Sequence, residues 1–195
     1  MTQELQRNID AFLKVLDAND FTTGGGTASC IAGSMAAGMV GMVAQLSRGK
    51  KDLLPAKVYE EMADQAKILQ KQLFDGGAED TLAFKKVSDA FNLPKFTDDE
   101  KAARSHAIQQ GLEEAARVPM RNAQYCLAVH RLCIKLAEKY NTNCASDLYS
   151  AKMLAQTGIH GCLANVEINL PSIKDKDLVS ELSGQVEEIK GKLNL

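Results

Sequence analysis

Two aspartates stand where a carboxylate could do chemistry. Asp80 and Asp147 each come immediately before an apolar run, at a position that predicts the start of a helix. A carboxylate there caps the first backbone N–H groups, which is worth about 1 kcal/mol. The same carboxylate, aimed into a cleft between helices, could instead hold or move a proton. Residue type and position leave both interpretations open.

The glycine triplet is the second candidate. Gly24, Gly25 and Gly26 precede a long segment without a charged residue. Glycines before a helix leave backbone N–H groups open to an anion or to the polar edge of a ring, whereas the alternative is a tight turn that only glycine fits. A phosphate-binding loop would need Lys and Ser or Thr directly after the last glycine and a strand before it. Thr-Ala-Ser-Cys follows instead, which excludes that loop.

A third group combines thiols and an imidazole. Cys126, His130 and Cys133 have the spacing of one helical face and could supply three zinc ligands. No fourth ligand is identifiable, and Cys and His on an apolar stripe are more typical of a core, so we expect no metal. The three histidines of the chain pair with no evident nucleophile, which gives a hydrolytic triad no support.

A basic cluster follows the uncharged segment. Arg48, Lys50 and Lys51 come directly after its last apolar residues. Such a cluster is usually a solvated helix end, and it is equally a landing place for the anionic tail of a ligand.

Composition narrows the class of protein. The chain has 195 residues, a formal net charge of -2 and no Trp, with 5% aromatic residues. Near-neutrality argues against a nucleic-acid surface, and so few aromatic residues argue against base stacking. Five cysteines without a disulfide-like framework, and no signal-peptide pattern, predict free thiols and a cytoplasmic location.

The uncharged segment is long enough to be tested as a membrane span. Residues 27–46 reach the roughly 20 residues that cross a bilayer. They are rich in Ala, Gly, Ser and Thr and poor in Leu, Ile and Phe, and no belt of aromatic residues flanks them. We therefore expect a buried helix and no membrane partner.

Almost every segment has helical periodicity, and none alternates as a strand does. The pattern predicts an all-α, single-domain bundle over residues 1–195, beginning with helices at about 4–18 and 27–47. Pro55 suits a first helical turn, and Thr97 with Glu100 forms a capping box. Further predicted features are a helix end at Gly76-Gly77, a helix start at Asp80, a helix to Arg117, a new or kinked helix at Pro119, a cap at Ser146-Asp147 and a last helix from about Asp175.

One face of the uncharged helix consists of small residues. Ser29, Gly33, Ala37 and Gly41 recur every four residues, so a helix stacks them in a row. Small residues let a second backbone approach closely. The partner could be another helix of the chain or a symmetry mate, which would make this the face of a dimer.

Several segments in this order resemble one family. They are GGGTASCIAGSMAAGMVGMVAQLSRGKK, DTLAF, LPK, EKAAR with the IQ that follows, AARVPM, NTNCASD and NVEINLPSIKD. Together they resemble the cyclodeaminase/cyclohydrolase family of folate one-carbon enzymes, which includes the C-terminal domain of formiminotransferase-cyclodeaminase and stand-alone methenyltetrahydrofolate cyclohydrolases. The resemblance spans about residues 4–178.

This resemblance implies an all-helical homodimer with a tetrahydrofolate derivative as substrate, bound between helices. We hypothesise that Asp147 or Asp80 handles the proton or anchors the pterin, and that Arg104 orients a carboxylate. The backbone of Gly24, Gly25 and Gly26 would contact the ligand. The remaining expected contacts are amide hydrogen bonds from Asn143 and Asn165 and ion pairs from Lys50 and Lys51 to the glutamate tail.

Two reactions suit such a site. One is hydrolysis of 5,10-methenyltetrahydrofolate to the 10-formyl form, and the other is cyclodeamination of 5-formiminotetrahydrofolate with release of ammonia. The chain has no room for a fused formiminotransferase, which favours the cyclohydrolase, although a separate transferase could supply a deaminase. The rival class is a non-enzymatic helical module that dimerises through the small-residue face.

Overall fold

The computed structural model describes residues 2–193. It contains six α-helices in this stretch and no strand, as the periodicity predicts. The helices are α1 (Gln3–Val15), α2 (Gly25–Ser47), α3 (Ala56–Phe91), α4 (Asp98–Glu138), α5 (Ala145–Asn169) and α6 (Lys176–Lys192), with 3-10 turns at Thr142–Cys144 and Leu170–Ser172. They form an all-α single domain.

Helix α2 is the centre of the bundle, and α3, α4 and α5 surround it. Its buried residues are mostly Ala, Gly, Ser and Val, so neighbouring backbones approach closely. The Cβ of an alanine at Gly158 of α5 would lie 3.0 Å from the backbone oxygen of Ser29. Helices α2 and α5 are therefore held at a spacing that a larger side chain would not permit.

The small-residue face of α2 packs inside the chain. Ser29 meets Gly161 of α5, Gly33 meets Cys126 of α4 and Leu73 of α3, and Gly41 meets Ala66 of α3. This face is therefore already covered by the other helices of the same molecule. Of the two partners predicted for this face, the structure shows the other helices of the same chain, and the face seats α2 in the bundle.

Helix α3 runs unbroken through Gly76-Gly77. A helix end and a new start at Asp80 were predicted there, but one helix covers all of Ala56–Phe91. These glycines serve close packing instead of termination. A Cβ at Gly76 would collide with the side chain of Asn122, and one at Gly77 would touch Thr27 and Cys30. Asp80 consequently lies in the middle of a helix, on its buried side.

Two other predicted boundaries also differ. Helix α4 continues through Pro119 to Glu138, so no second helix begins at the proline. At α5 the N-cap is Cys144, and Asp147 lies within the first turn without a capping role. The Thr97–Glu100 capping box, by contrast, is confirmed with both of its hydrogen bonds.

The terminal helices cover the edges of the bundle. Asn8 of α1 donates to Asp75 of α3, and Lys71 of α3 bonds both Glu4 and Asp75. Helix α6 begins at the Asp175 cap, as predicted, and buries its apolar side against the core. Both helices thereby close the surface around α3 and α4.

Among the described residues, α2 is the one helix long and apolar enough to span a membrane, and 67% of its most apolar window is buried within the fold. A core helix passes the same length test. Its environment matches the buried helix predicted from its composition.

Candidate active site

A cleft of about 350 Å³ opens where four helices meet. The start of α2, the middle of α3, the end of α5 and Ala115 of α4 form its walls, and the loop before α2 forms its lip. This volume is within the range of small-molecule sites. The glycine triplet, Asp80 and Asn165 all line it.

Asp80 is held at the bottom of this cleft by two side-chain donors. The hydroxyl of Thr27 lies 3.0 Å from Oδ2, and the amide nitrogen of Asn165 donates to Oδ1 at 2.9 Å. The backbone of Thr27 also acts to lower the pKa of the carboxyl group. The carboxyl group of Asp80 therefore lies against the first turn of α2, where the helix dipole favours a negative charge.

Burial nevertheless changes the pKa of Asp80 more than these hydrogen bonds do. Asp80 is only 9% exposed. Desolvation raises the pKa of Asp80, and this effect outweighs the hydrogen bonds from Thr27 and Asn165, which lower it. A carboxyl whose pKa is moved toward neutrality exchanges a proton more readily than an ordinary surface aspartate.

Gly26 is required by the approach of two side chains. A Cβ at this position would lie 2.6 Å from both oxygens of Asp80 and would collide with the amide of Asn165. No such obstacle exists at Gly24 and Gly25, where added Cβ atoms meet nothing within 4 Å. The backbone N–H groups of Gly25 and Gly26 find no acceptor among the described residues and are therefore available to a ligand at the helix N-terminus.

The hydroxyl of Thr27 can serve either protonation state of Asp80. It lies 3.2 Å from the carbonyl oxygen of Gly77, 3.0 Å from Oδ2 of Asp80 and 3.1 Å from the hydroxyl of Thr81. Because a hydroxyl has one hydrogen, Thr27 donates to ionised Asp80, or accepts from protonated Asp80 and donates to Gly77. Thr81 lines the cleft, so these hydroxyls connect the buried acid with the ligand space.

Three thiols form the wall behind Asp80. Cys30, Cys126 and Cys162 are all completely buried and free. Hydrogen bonding to Cys162, followed by burial, raises the pKa of Cys30, and contact with Cys126 has the largest part in raising that of Cys162. Cys30 and Cys162 therefore stay protonated and add no negative charge near Asp80.

The entrance of the cleft is apolar. Phe21 is 85% exposed, and Phe84 and Ile168 are also largely exposed. Exposed aromatic and aliphatic groups around a cleft are suited to the faces of a flat ring. Two polar groups complement them. Thr23 has a buried hydroxyl oxygen without a protein partner among the described residues, and the Asn169 amide donates to the carbonyl oxygens of Ala115 and Asn165.

The structure separates the predicted site residues into two groups. Gly24, Gly25, Gly26, Asp80 and Asn165 lie together in the cleft. The second group is at the other end of α2, about 33 Å away by helical rise. There Asn141 bonds Ser47 and the carbonyl oxygen of Leu46, which places the start of α5 beside the end of α2. This group comprises Lys50, Lys51, Asn143 and Asp147.

Arg104 contacts no carboxylate among the described residues. Its guanidinium donates to the carbonyl oxygen of Phe91 and lies over the ring of that residue. The predicted orientation of a carboxylate by Arg104 is therefore wrong in this chain. The residue satisfies the end of α3 instead, because the last carbonyl groups of a helix lack intrahelical partners.

Two other places could be considered for chemistry. A larger cleft of about 690 Å³ lies between α3 and α4, but its ionisable side chains are exposed or half-buried, and Lys86 pairs with Glu114. His130 is buried with Nε2 unpartnered, and burial lowers the pKa of His130.

No cluster of three potential metal ligands occurs among residues 2–193.

Several residues of the cleft were not predicted from the sequence. Thr27, Thr81 and Asn169 are its additional polar groups, and Phe21, Phe84 and Ile168 form its entrance. Asn165 and Asn169 are four residues apart and so share a helical face, which is a signal that could have identified Asn169. The role of Thr27 depends on the position of α3, and no local pattern indicates it.

The burial of Asp80 predicts that removing its charge stabilises the folded protein at neutral pH. The folded protein holds the Asp80 proton to a higher pH than the unfolded chain does, so the stability from its protonated form is lost as pH rises through the folded-state pKa. Asp80→Asn cannot ionise, and its amide can donate to Thr27. We expect this variant to have a higher melting temperature than wild type at pH 7. The rise should be about 2–4 °C for each kcal/mol of desolvation penalty that the substitution removes.

Thermal unfolding between pH 4 and pH 8 measures this effect. The two melting curves should converge as pH falls below the Asp80 pKa. Asp89→Asn on the exposed side of the same helix is the matched control and should show no such convergence. Equal melting temperatures for Asp80→Asn and wild type at pH 7 would contradict a penalised carboxylate.

Comparisons with known proteins agree with this architecture. The chain is 35% identical to methenyltetrahydrofolate cyclohydrolase of Methylorubrum extorquens over 186 residues, covering 95% of this chain and 88% of that protein. It is 30% identical to formimidoyltransferase-cyclodeaminase of Rattus norvegicus over 173 residues, which is 88% of this chain but 32% of the rat protein.

A solved structure shares the fold. The crystal structure of formiminotetrahydrofolate cyclodeaminase from Thermotoga maritima matches with a TM-score of 0.78 at 29% identity, covering 93% of this chain and 92% of that one. The formiminotransferase-cyclodeaminase family model matches residues 8–188. The chain therefore belongs to this family of folate one-carbon enzymes, the cyclodeaminases and cyclohydrolases.

Proposed function

We propose that this enzyme hydrolyses 5,10-methenyltetrahydrofolate to 10-formyltetrahydrofolate, with Asp80 as the group that moves the proton. The observation that carries the proposal is a buried carboxyl of raised pKa at the base of a cleft of ligand size. The extensive match to the Methylorubrum cyclohydrolase supports this choice of reaction.

The proposed reaction needs one proton acceptor that later becomes a donor. Water attacks the amidinium carbon between N5 and N10 and gives a proton to ionised Asp80, which leaves a neutral tetrahedral carbon bearing a hydroxyl. Protonated Asp80 returns that proton to N5 as the bond from carbon to N5 breaks. The hydroxyl loses its own proton to solvent and becomes the formyl oxygen, so one proton is released overall. A positioned acid–base group contributes about 10²–10⁴-fold to such a step.

The other groups of the cleft have complementary roles in this proposal. Thr27 and Asn165 hold the carboxylate in place and satisfy it in both protonation states. The free N–H groups of Gly25 and Gly26 stabilise the oxygen that becomes the formyl group. Phe21 and Phe84 cover the faces of the pterin and exclude water other than the attacking molecule.

Cyclodeamination of 5-formiminotetrahydrofolate is the second candidate, favoured by the match to the Thermotoga cyclodeaminase structure. In that reaction N10 attacks the formimino carbon and gives its proton to Asp80. The proton is then returned to the amino group, which leaves as ammonia. The same residues would perform both reactions, and a separate formiminotransferase would have to supply the second substrate.

Turnover by Asp80→Asn tests the assignment. We expect kcat for methenyltetrahydrofolate, followed by loss of its absorbance, to fall by about 10²–10⁴-fold with little change in KM. A large rise in KM at constant kcat would instead make Asp80 a pterin anchor. Full turnover would refute both roles, and Asp89→Asn should match wild type. Ammonia release from the formimino substrate identifies the alternative reaction.

A homodimer is the second part of the proposal, and the outer surface of α2 supports it. Met35, Met42 and Leu46 are exposed on this otherwise buried helix, and Gly38 between them has open space around it. Gly38 lies midway in the sequence between Gly26 and Lys50. Two copies of α2 packed antiparallel at Gly38 would therefore set the triplet of one beside the basic end of the other.

Charge supports this antiparallel arrangement. The loop before α2 carries Asp17 and Asp20, whereas Lys50 and Lys51 follow its other end, and these two lysines make no ion pair among the described residues. Antiparallel packing places these opposite charges together. It would also bring Asp147 of a second copy toward the cleft, so the two separated groups of predicted site residues would form one shared site.

Mixing variants tests both the dimer and the shared site. Light scattering should give twice the chain mass for wild type and the single mass for Met42→Glu, because a charge at the apolar contact is not solvated. Asp80→Asn and Asp147→Asn should each be inactive alone, and unfolding and refolding them together should restore activity in mixed dimers. A monomeric wild type, or full activity of Asp147→Asn, would contradict the shared site.

The Thr27 hydroxyl should affect the pH profile. Thr27→Val removes a donor to the carboxylate, so the acid limb of kcat/KM should move up by roughly one pH unit, the value of one charge-assisted hydrogen bond. Thr27→Ser keeps the hydroxyl and should restore the wild-type limb. A fall in activity of Thr27→Val without movement of the limb would indicate a packing role alone.

A further inference from the structure

A second groove adjoins the Asp80 cleft along the side of α1. It has a volume of about 370 Å³ and lies between α1 and α3, where Ala11 and Ala78 line its floor. Thr81 lines both this groove and the Asp80 cleft. The cleft and the groove therefore adjoin at this residue.

Cations dominate the rim of this groove. Arg7, Lys14 and Lys85 line it together with one acid, Asp10. Lys85 pairs with Asp89, and Asp10 already accepts a hydrogen bond from Gln6. Arg7 and Lys14 make no ion pair with the described residues. These two side chains are exposed cations facing the same groove.

Two acids lie near these cations without forming an ion pair with either of them among the described residues. Asp75 lies near Arg7 but is bonded to Lys71 and Asn8. Asp20 lies near Lys14, and its hydrogen bonds from Thr22, more than the lysine, lower the pKa of Asp20. Both carboxylates therefore bond to other donors, and neither forms an ion pair with Arg7 or Lys14 within residues 2–193.

The pairing of α1 with α3 orders the two free cations along the groove. Glu4 meets Lys71 and Asn8 meets Asp75, so the helices run in the same direction. Lys14 consequently lies at the end of α1 that is close to Thr81 and the cleft. Arg7 is two turns earlier, about 10 Å away by helical rise.

We propose that Lys14 and Arg7 bind the carboxylates of the glutamate tail of the folate, with Lys14 taking the carboxylate nearest the cleft. This inference rests on the proposed function, because it assumes that the pterin occupies the Asp80 cleft. Lysine and arginine form charge-assisted hydrogen bonds to carboxylates. This groove shares Thr81 with the cleft of the same chain, whereas Lys50 and Lys51 lie about 33 Å from the triplet of their own chain. In the proposed dimer those two lysines are placed with the acidic loop of the second copy, which carries Asp17 and Asp20.

Binding of two ligands by the full chain tests the groove. Tetrahydrofolate has the glutamate tail, and tetrahydropteroate is the same molecule without it. Titration calorimetry should show that Lys14→Gln lowers the affinity for tetrahydrofolate by about three- to fivefold. The double variant Arg7→Gln/Lys14→Gln should lower it by about tenfold. Neither variant should change the affinity for tetrahydropteroate, and the tetrahydrofolate effect should shrink as salt rises.

Lys135→Gln is the matched control, since Lys135 is an exposed lysine of α4 outside both clefts. It should leave both affinities unchanged. If Lys14→Gln lowers the affinity for both ligands equally, or for neither, the groove does not bind the glutamate tail. Either result would leave the proposed function intact. A tail-dependent loss in Lys50→Gln/Lys51→Gln but not in Lys14→Gln would overturn the groove in favour of the other basic cluster. A wild-type chain that binds neither ligand would overturn the proposed function itself.

Discussion

The burial of one carboxyl against the first turn of a helix is the constraint on which this structure depends. Asp80 reaches the N-terminus of α2 because Gly26 has no side chain, and it is held there by Thr27 and Asn165. Three helices must meet within hydrogen-bond distance for this to occur. The small residues of α2 and the glycines of α3 and α5 permit that approach, so core packing and the site follow from the same choice of residues.

Much of the fold could be predicted from periodicity. The all-α class, the buried α2, the capping box at Thr97 and the start of α6 at Asp175 were each indicated by local signals that the structure confirms. Local signals failed where tertiary packing replaced their usual role. Gly76 and Gly77 resemble a helix end, yet they lie inside α3 because Asn122, Thr27 and Cys30 occupy the space of their side chains. Pro119 likewise lies inside α4.

The candidate site was predicted in part. The glycine triplet, Asp80 and Asn165 meet in one cleft although they lie far apart in the sequence, and their order within the family resemblance had indicated them. Asp147 could not be separated from Asp80 by sequence alone, because both are aspartates before apolar runs. Only the position of α5 shows that Asp147 is beside the end of α2 instead of its start. Thr27 was missed because its partners come from α3.

The glycine contacts around Asp80 have a consequence for how the cleft selects its ligand. Much of the inner surface is the backbone of the glycine triplet and the hydrogen-bonded side chains of Asp80 and Asn165, which have little freedom to rearrange. Such a surface cannot mould itself around a guest, and little conformational freedom is lost there when the guest arrives. Discrimination at this depth therefore depends on outline: a ligand that matches the preformed walls binds without displacing them, whereas an analogue of the same polarity but a different shape is rejected.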